Sequence, residues 1–236
     1  MIYRLVIAPA QQQDRQIILT PEQQHYLNRV VRLGKGDRFI AMDGQGKSWL
    51  AQLTGTSAQI LEPLTGTKEL PVAVTLIAAL PKGNGFDEVV RCCTELGVTT
   101  IVPAIADRTL LKPSPHKLER WRKIAREAAE QSERQIVPTV MEPVNFTATL
   151  TRIGNGEPNC YVCVARRDAP HLLDCLTSQT AENIAIATGP EGGWTEREIE
   201  QAIAAGFQPV SLGCRILRAI TAPVVALSLV AANAER

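Results

Sequence analysis

ENIAIATGPEGGWTEREI, Glu182–Ile199, is the stretch that decides the fold class. Ile184, Ala185, Ile186 and Ala187 form a near-continuous apolar run, as expected of a strand covered on both faces. Gly189, Gly192 and Gly193 then remove Cβ atoms from a tight turn where backbone must come close to something. Thr195 and Glu198 make a capping box that opens a helix. Strand, turn and helix in that order are the repeating unit of a parallel sheet layered with helices.

The same alternation extends in both directions. Upstream lie the apolar strands VAVTLIAAL (72–80) and TIVPAI (100–105), predicted helices over 86–96 and from Pro115 to about Ser132, and the strand NCYVCVA (159–165). Downstream come FQPVSL (207–212) and a final helix from about Pro223. The pattern predicts an α/β domain with a parallel sheet over 71–236. Before it, 1–70 reads differently. The strands IYRLVI, RFIAMD and SWLAQLT are separated by turn signals at Asp43-Gly44 and Gly46, the pattern of a small β-barrel. One helix is expected to cross it, with Thr20 as N-cap, Pro21 and Gln23 behind it, Leu27, Val30 and Val31 as its apolar stripe, and Gly34 as its stop.

With 45% hydrophobic and 21% charged residues, the 236-residue chain can bury a core and is not a disordered segment. No apolar run is long enough for a membrane span, and the opening MIYRLVIAPA lacks a basic leader and long apolar core, so a cytoplasmic protein is expected. The six cysteines are expected to be reduced. Cys160 and Cys163, three apart in a strand, point to opposite faces, and His25, His116 and His171 are widely spread, so no metal site is expected.

A net charge of +1 means that any affinity for a polyanion comes from local patches. One strip carries His25, Arg29, Arg32 and Lys35; a second basic region runs from Arg108 to Gln135 and includes Arg126 and Arg134. Each also reads as ordinary solvated helix surface: the first because Lys and Arg are found on most exposed helices, the second because Glu119–Lys123, Lys123–Glu127, Arg126–Glu130 and Glu130–Arg134 are i,i+4 opposite-charge pairs.

Ligands of open α/β sheets bind beyond the carboxyl ends of the strands. Two loops there stand out: the glycine turn at 189–194 and the run Gly213-Cys214-Arg215-Ile216-Leu217-Arg218. In the second, apolar side chains beside backbone donors suit a flat aromatic ring, with Arg218 placed to face a substrate. Neither loop has the spacing of a dinucleotide fingerprint or a phosphate loop.

ATGPEGGWTEREI, followed by SLGCRILRAITAPVVAL, resembles the SPOUT-type methyltransferases that act on N3 of a uridine in 16S ribosomal RNA. LPKGNGFDEVVRCCTELGV, IVPAIADR, RWRKIAREAAEQSERQIVP, YRLVI and HYLNRVVRLGKGD agree, so the likeness spans almost the whole chain. The resemblance implies a trefoil-knotted C-terminal domain, a PUA-like N-terminal barrel that grips RNA, a homodimer, and 16S ribosomal RNA of the small subunit as substrate. S-adenosylmethionine would be held by Thr188, Gly189, Pro190, Glu191, Gly192 and Gly193 in one loop. Leu212, Gly213, Ile216, Leu217, Arg218, Thr221 and Ala222 would form the other. Arg218 and Glu191 are the catalytic candidates, and Arg4, His25, Arg29, Arg32, Lys35, Arg126 and Arg134 the RNA-contacting ones. The chain departs from the family pattern at Ile220, where a glutamate is usual, and at Cys92, where a lysine is common. A ribose 2′-O-methyltransferase of the same fold and a non-catalytic RNA-binding assembly factor are the alternative readings.

Overall fold

The computed structural model describes residues 2–110, 113–153, 159–177 and 181–236. These form two compact units, Met1–Glu69 with Ala129–Val137, and Leu70–Ala128 with Pro138–Arg236. A short stretch from the second half of the chain therefore belongs to the first unit. It is held there by the backbone of Gly46 and Val137, which donate to Gln135 and Gly44 at 3.2 and 3.0 Å.

In the first unit, β1 (Arg4–Val6), β2 (Gln12–Gln13), β3 (Gln16–Ile18), β4 (Arg38–Met42), β5 (Ser48–Leu53) and β6 (Ser57–Leu64) form one curled sheet, ordered β1-β4-β5-β6-β3-β2. Only β1 and β4 pair in parallel. Leu5, Ile7, Ile17, Phe39, Ala51 and Ala58 are buried in its core together with Leu27.

Helix α1 (Pro21–His25) starts as expected, with the Thr20 hydroxyl accepting from the N–H of Gln23 and the Gln23 side chain answering back. It does not run on as a regular helix to Gly34. A π-turn covers Tyr26–Val30, with Val31 N–H donating to Tyr26 at 2.9 Å. One extra residue in the turn rotates everything after it by about 100°. Leu27 is thus buried, whereas Val30 is 62% exposed, so the expected stripe is not all core. The segment stops at Arg32, in the left-handed region at φ 64°, rather than at Gly34. That conformation costs a non-glycine residue about 1–2 kcal/mol.

The second unit is built on seven strands among the described residues: β7 (Ala73–Ala79), β8 (Thr100–Ile105), β9 (Thr139–Val140), β10 (Val144–Asn145), β11 (Cys160–Cys163), β12 (Asn183–Thr188) and β13 (Gln208–Val210). Their order is β10-β8-β7-β12-β11-β13, with β9 also on β8, and every pairing is parallel. Parallel strands all end at the same edge of the sheet, so their exit loops gather there.

Helices α2 (Gly85–Glu95), α3 (Pro115–Gln131), α4 (Phe146–Ile153), α5 (Leu172–Thr177), α6 (Glu196–Ala204) and α7 (Thr221–Ala234) are the connections and covers. Two aromatic pairs fix them. Phe86 of α2 meets Trp121 of α3 with ring centroids 4.5 Å apart, and the Trp121 indole N–H donates to Asp87 at 3.1 Å. Phe146 of α4 stacks on Trp194 at 4.0 Å. Such pairs are worth about 0.5–1.5 kcal/mol beyond the area they bury. No described helix is long and apolar enough to cross a membrane.

Candidate functional site

The glycine turn leaves β12 after Thr188, which is buried, and enters α6 at Thr195, whose hydroxyl accepts from the N–H of Glu198. Gly193, at φ 70°, closes the turn by donating to Pro190 at 2.8 Å. Its conformation is fixed from outside by the neighbouring strand exits. After β7, the N–H of Lys82 donates to Glu191 Oε1 at 2.9 Å. After β8, one nitrogen of Arg108 donates to the carbonyls of Gly192 at 2.6 Å and Trp194 at 3.3 Å. From β11, Cys163 accepts the Trp194 indole N–H at 3.2 Å.

Glu198 completes the bracket. Only 2% exposed, its carboxylate takes the N–H of Asp107 at 2.8 Å, the N–H of Thr195 at 2.8 Å and the Thr195 hydroxyl at 3.0 Å. A buried carboxylate with this many donors is satisfied, so its position is held firmly. Gly189 lies against Trp194, where a Cβ would come within 3.3 Å of the indole. At Gly192 a Cβ would stand 3.0 Å from Arg108 Cδ, so a side chain there displaces the arginine.

The second loop leaves β13. Since β12 and β13 both pair with β11, the two loops start from strands about 10 Å apart at one edge. Gly213, at φ 110°, makes the turn with the Ser211 hydroxyl 3.1 Å from its N–H. Leu212 and Leu217 are half-buried, but Ile216 is 62% exposed. The Arg218 carbonyl receives the N–H groups of Thr221 and Ala222 at 2.9 and 3.0 Å, which starts α7, while its side chain is exposed and ion-pairs with no described residue.

The two departures have structural places. Ile220 packs on the start of α2, its Cγ2 2.9 Å from where a Cβ on Gly85 would lie. Cys92 is half-buried and donates to Glu88 one turn earlier at 3.4 Å.

Two of the RNA-contacting candidates are otherwise engaged. Arg134 is 2% exposed and fastened to Glu69 at 2.6 Å, which also takes the N–H groups of Gln135 and Ile136. It is a structural residue of the first unit, which corrects its assignment as an RNA contact. Burial follows from its place after α3, where the chain turns back at Glu133, φ 64°. Arg4 is mostly covered and pairs with Glu133 at 3.0 Å. His25, Arg29, Arg32 and Lys35 in the first unit, and Arg126 on α3, are exposed. Glu191, a catalytic candidate, is also exposed, but one carboxylate oxygen is occupied by Lys82 N–H. Among the described residues no cluster of His, Cys, Asp or Glu suits a metal ion.

Sequence reasoning missed Lys82, Arg108 and the second role of Glu198. Their signal was position: each lies just beyond a predicted strand or opens a predicted helix at the crevice edge.

A family profile described as an RNA methyltransferase domain matches residues 68–231, and one described as an RNA methyltransferase PUA domain matches 19–62. A Ribosomal RNA small subunit methyltransferase E from Synechocystis sp. is 52% identical over 100% of this chain and 79% of its own length. This chain belongs to the ribosomal RNA small subunit methyltransferase E family. The Bacillus subtilis member is 32% identical, over 92% of this chain and 90% of its own. Among solved structures, the methyltransferase E of Neisseria gonorrhoeae bound to S-adenosyl methionine superposes with a TM-score of 0.88. It is 34% identical and covers 97% of this chain and 96% of that one. The family's two parts are both present: a PUA domain and an α/β domain of the SPOUT type, with the glycine turn inside the latter.

Proposed function

We propose that this chain methylates N3 of a specific uridine in 16S ribosomal RNA of the small subunit, using S-adenosylmethionine. It works as a cytoplasmic homodimer. Residues 1–70 grip RNA, and 71–236 are threaded as a trefoil knot around the cofactor. The observation that carries this reading is the pairing, at one sheet edge, of an externally clamped glycine turn with a loop that leaves apolar Ile216 exposed next to Arg218.

The residues fit the cofactor. An exposed isoleucine is a surface a flat adenine ring can cover, and Gly193, whose Cβ position has no atom within 4 Å, leaves the backbone of the turn open to approach. Thr188, Gly189, Pro190, Gly192 and Gly193 hold one side; Leu212, Gly213, Ile216, Leu217, Thr221 and Ala222 hold the other. When bound, S-adenosylmethionine supplies a sulfonium methyl group for transfer.

Uracil N3 carries a proton and is a poor nucleophile until that proton leaves. Arg218 stabilises the negative charge that then spreads onto the uracil carbonyl oxygens, since a guanidinium is permanently charged and can donate two bonds to a planar anion. Glu191 orients the turn by accepting the N–H of Lys82. Helix α7, uncharged throughout and with Val224, Val225 and Leu229 only partly covered, supports a self-association surface.

The test is incubation with labelled S-adenosylmethionine and unmodified small subunits, followed by mass spectrometry of the nucleosides. Label on uracil N3 is expected. Label on ribose would replace this reading with the 2′-O alternative, and cofactor binding without transfer would favour the assembly factor.

A further inference from the structure

Between the two cofactor loops lies a third exit, that of β11. The chain leaves the strand at Val164, whose N–H donates to Val210 at 2.9 Å, and comes back beside β13 at Pro170, which accepts from Ser211 at 2.8 Å. Ala165–Ala169 is therefore a short excursion pinned at both ends to the root of the 212–218 loop. On its other side, Arg167 reaches Glu196 in the first turn of α6 at 3.3 Å, just beyond the glycine turn. The root of one loop and the first turn of the helix that follows the other thus flank this excursion.

At its tip stands Arg166, in the left-handed region at φ 59°, a conformation that favours glycine over any side chain bearing a Cβ. The side chain is exposed, and among the described residues it forms no ion pair. Arg167 beside it is engaged with Glu196, so of the excursion's two arginines Arg166 is the one left available, in addition to Arg218 on the neighbouring loop. An arginine kept where glycine is easier, at a mouth that must admit a polyanion, is suited to a phosphate group.

We propose that Arg166 is a substrate-binding residue that takes a backbone phosphate of the RNA next to the target nucleotide. The inference rests on the methyltransferase reading above and adds a contact in the catalytic unit. Phosphate contacts set register without reading sequence, so Arg166 fixes where along the strand the target base enters.

The decisive variant is Arg166→Gly, because structure and function move in opposite directions. Glycine relieves the backbone, so the melting temperature holds or rises. RNA affinity, measured by filter binding to small subunits, is expected to fall roughly ten-fold, and the slope of log K against log salt to decrease by about one unit. KM for the RNA rises, while kcat and the affinity for S-adenosylmethionine by calorimetry stay unchanged; Arg166→Lys recovers part of the loss. Unaltered RNA affinity in Arg166→Gly would overturn the proposal, and so would a loss confined to S-adenosylmethionine, which would reassign the arginine to the cofactor. If the wild-type protein transfers no methyl group, the functional reading fails, but the binding comparison still decides the role of Arg166.

Discussion

The guanidinium of Arg108 donates to the carbonyl of Gly192 at 2.6 Å and, from the same nitrogen, to that of Trp194 at 3.3 Å. An exit loop two strands away in the sheet thus sets the shape of the glycine turn, holding two of its carbonyls toward the arginine. Charge-assisted bonds of this kind are about twice as strong as neutral ones.

Arg108→Ala is expected to weaken S-adenosylmethionine binding roughly ten-fold, the worth of about 1.4 kcal/mol, while leaving the far-UV circular dichroism unchanged. Gly192→Val, which forces a side chain into the space of Arg108 Cδ, should abolish binding with the fold intact. Calorimetric titration reads both; normal binding by either variant would remove the clamp from the explanation.

Arg218→Ala tests the electrostatic role. Turnover is expected to drop by about 10²–10³, the usual effect of removing one preorganised donor to a developing oxyanion. Affinity for the cofactor should change far less. Single-turnover kinetics beside calorimetry separate the two, and equal losses in both would make Arg218 a binding residue only.

Glu69→Ala removes the carboxylate that Arg134, Gln135 and Ile136 share. With side chains 3% and 13% exposed, the pair is buried, and breaking it should cost about 3–5 kcal/mol by urea denaturation. Replacing both, as Glu69→Leu with Arg134→Met, should restore much of that. A destabilisation too small to resolve in the single variant would show that the pair contributes little.

Burial pushes up the thiols of Cys93 and Cys163, that of Cys163 to about 12. An unfolded thiol ionises near ~8.5. Their contribution to stability is therefore whole below that pH and lost progressively as pH rises toward 12. The melting temperature should decline through this window, and Cys93→Ala should flatten the decline; an identical slope in the variant would place its cause elsewhere.

Replacing Arg29 and Arg32 together is expected to weaken RNA binding and lower its salt slope by about two units, one for each phosphate that is no longer neutralised. An unchanged slope would return that strip to ordinary solvated surface.

Much of the architecture is legible locally. The strand at 183–188, its glycine turn and the capping box of Thr195 and Glu198 are contiguous in the chain, so composition and spacing reveal them. The π-turn was not legible, because Leu27, Val30 and Val31 fit a regular helix equally well and only docking of Leu27 in the core chooses between registers. Arg134 misled for a similar reason: in sequence it looks like one more basic surface residue of the run from Arg108, and Glu69, its partner, is 65 residues away.

What the sequence by itself determined is the strand, glycine turn and capped helix of 183–204 and the apolar strands and longer helices on either side of it, since propensity, periodicity and capping act over a few residues. Only the tertiary structure decided which exits stand side by side, that Arg108 grips Gly192, that Lys82 occupies Glu191, and that Arg166 is exposed between the two loops. Those relationships depend on the strand order β8-β7-β12-β11-β13. That order is set by the packing of whole strands and helices against one another, and no local stretch of sequence contains it.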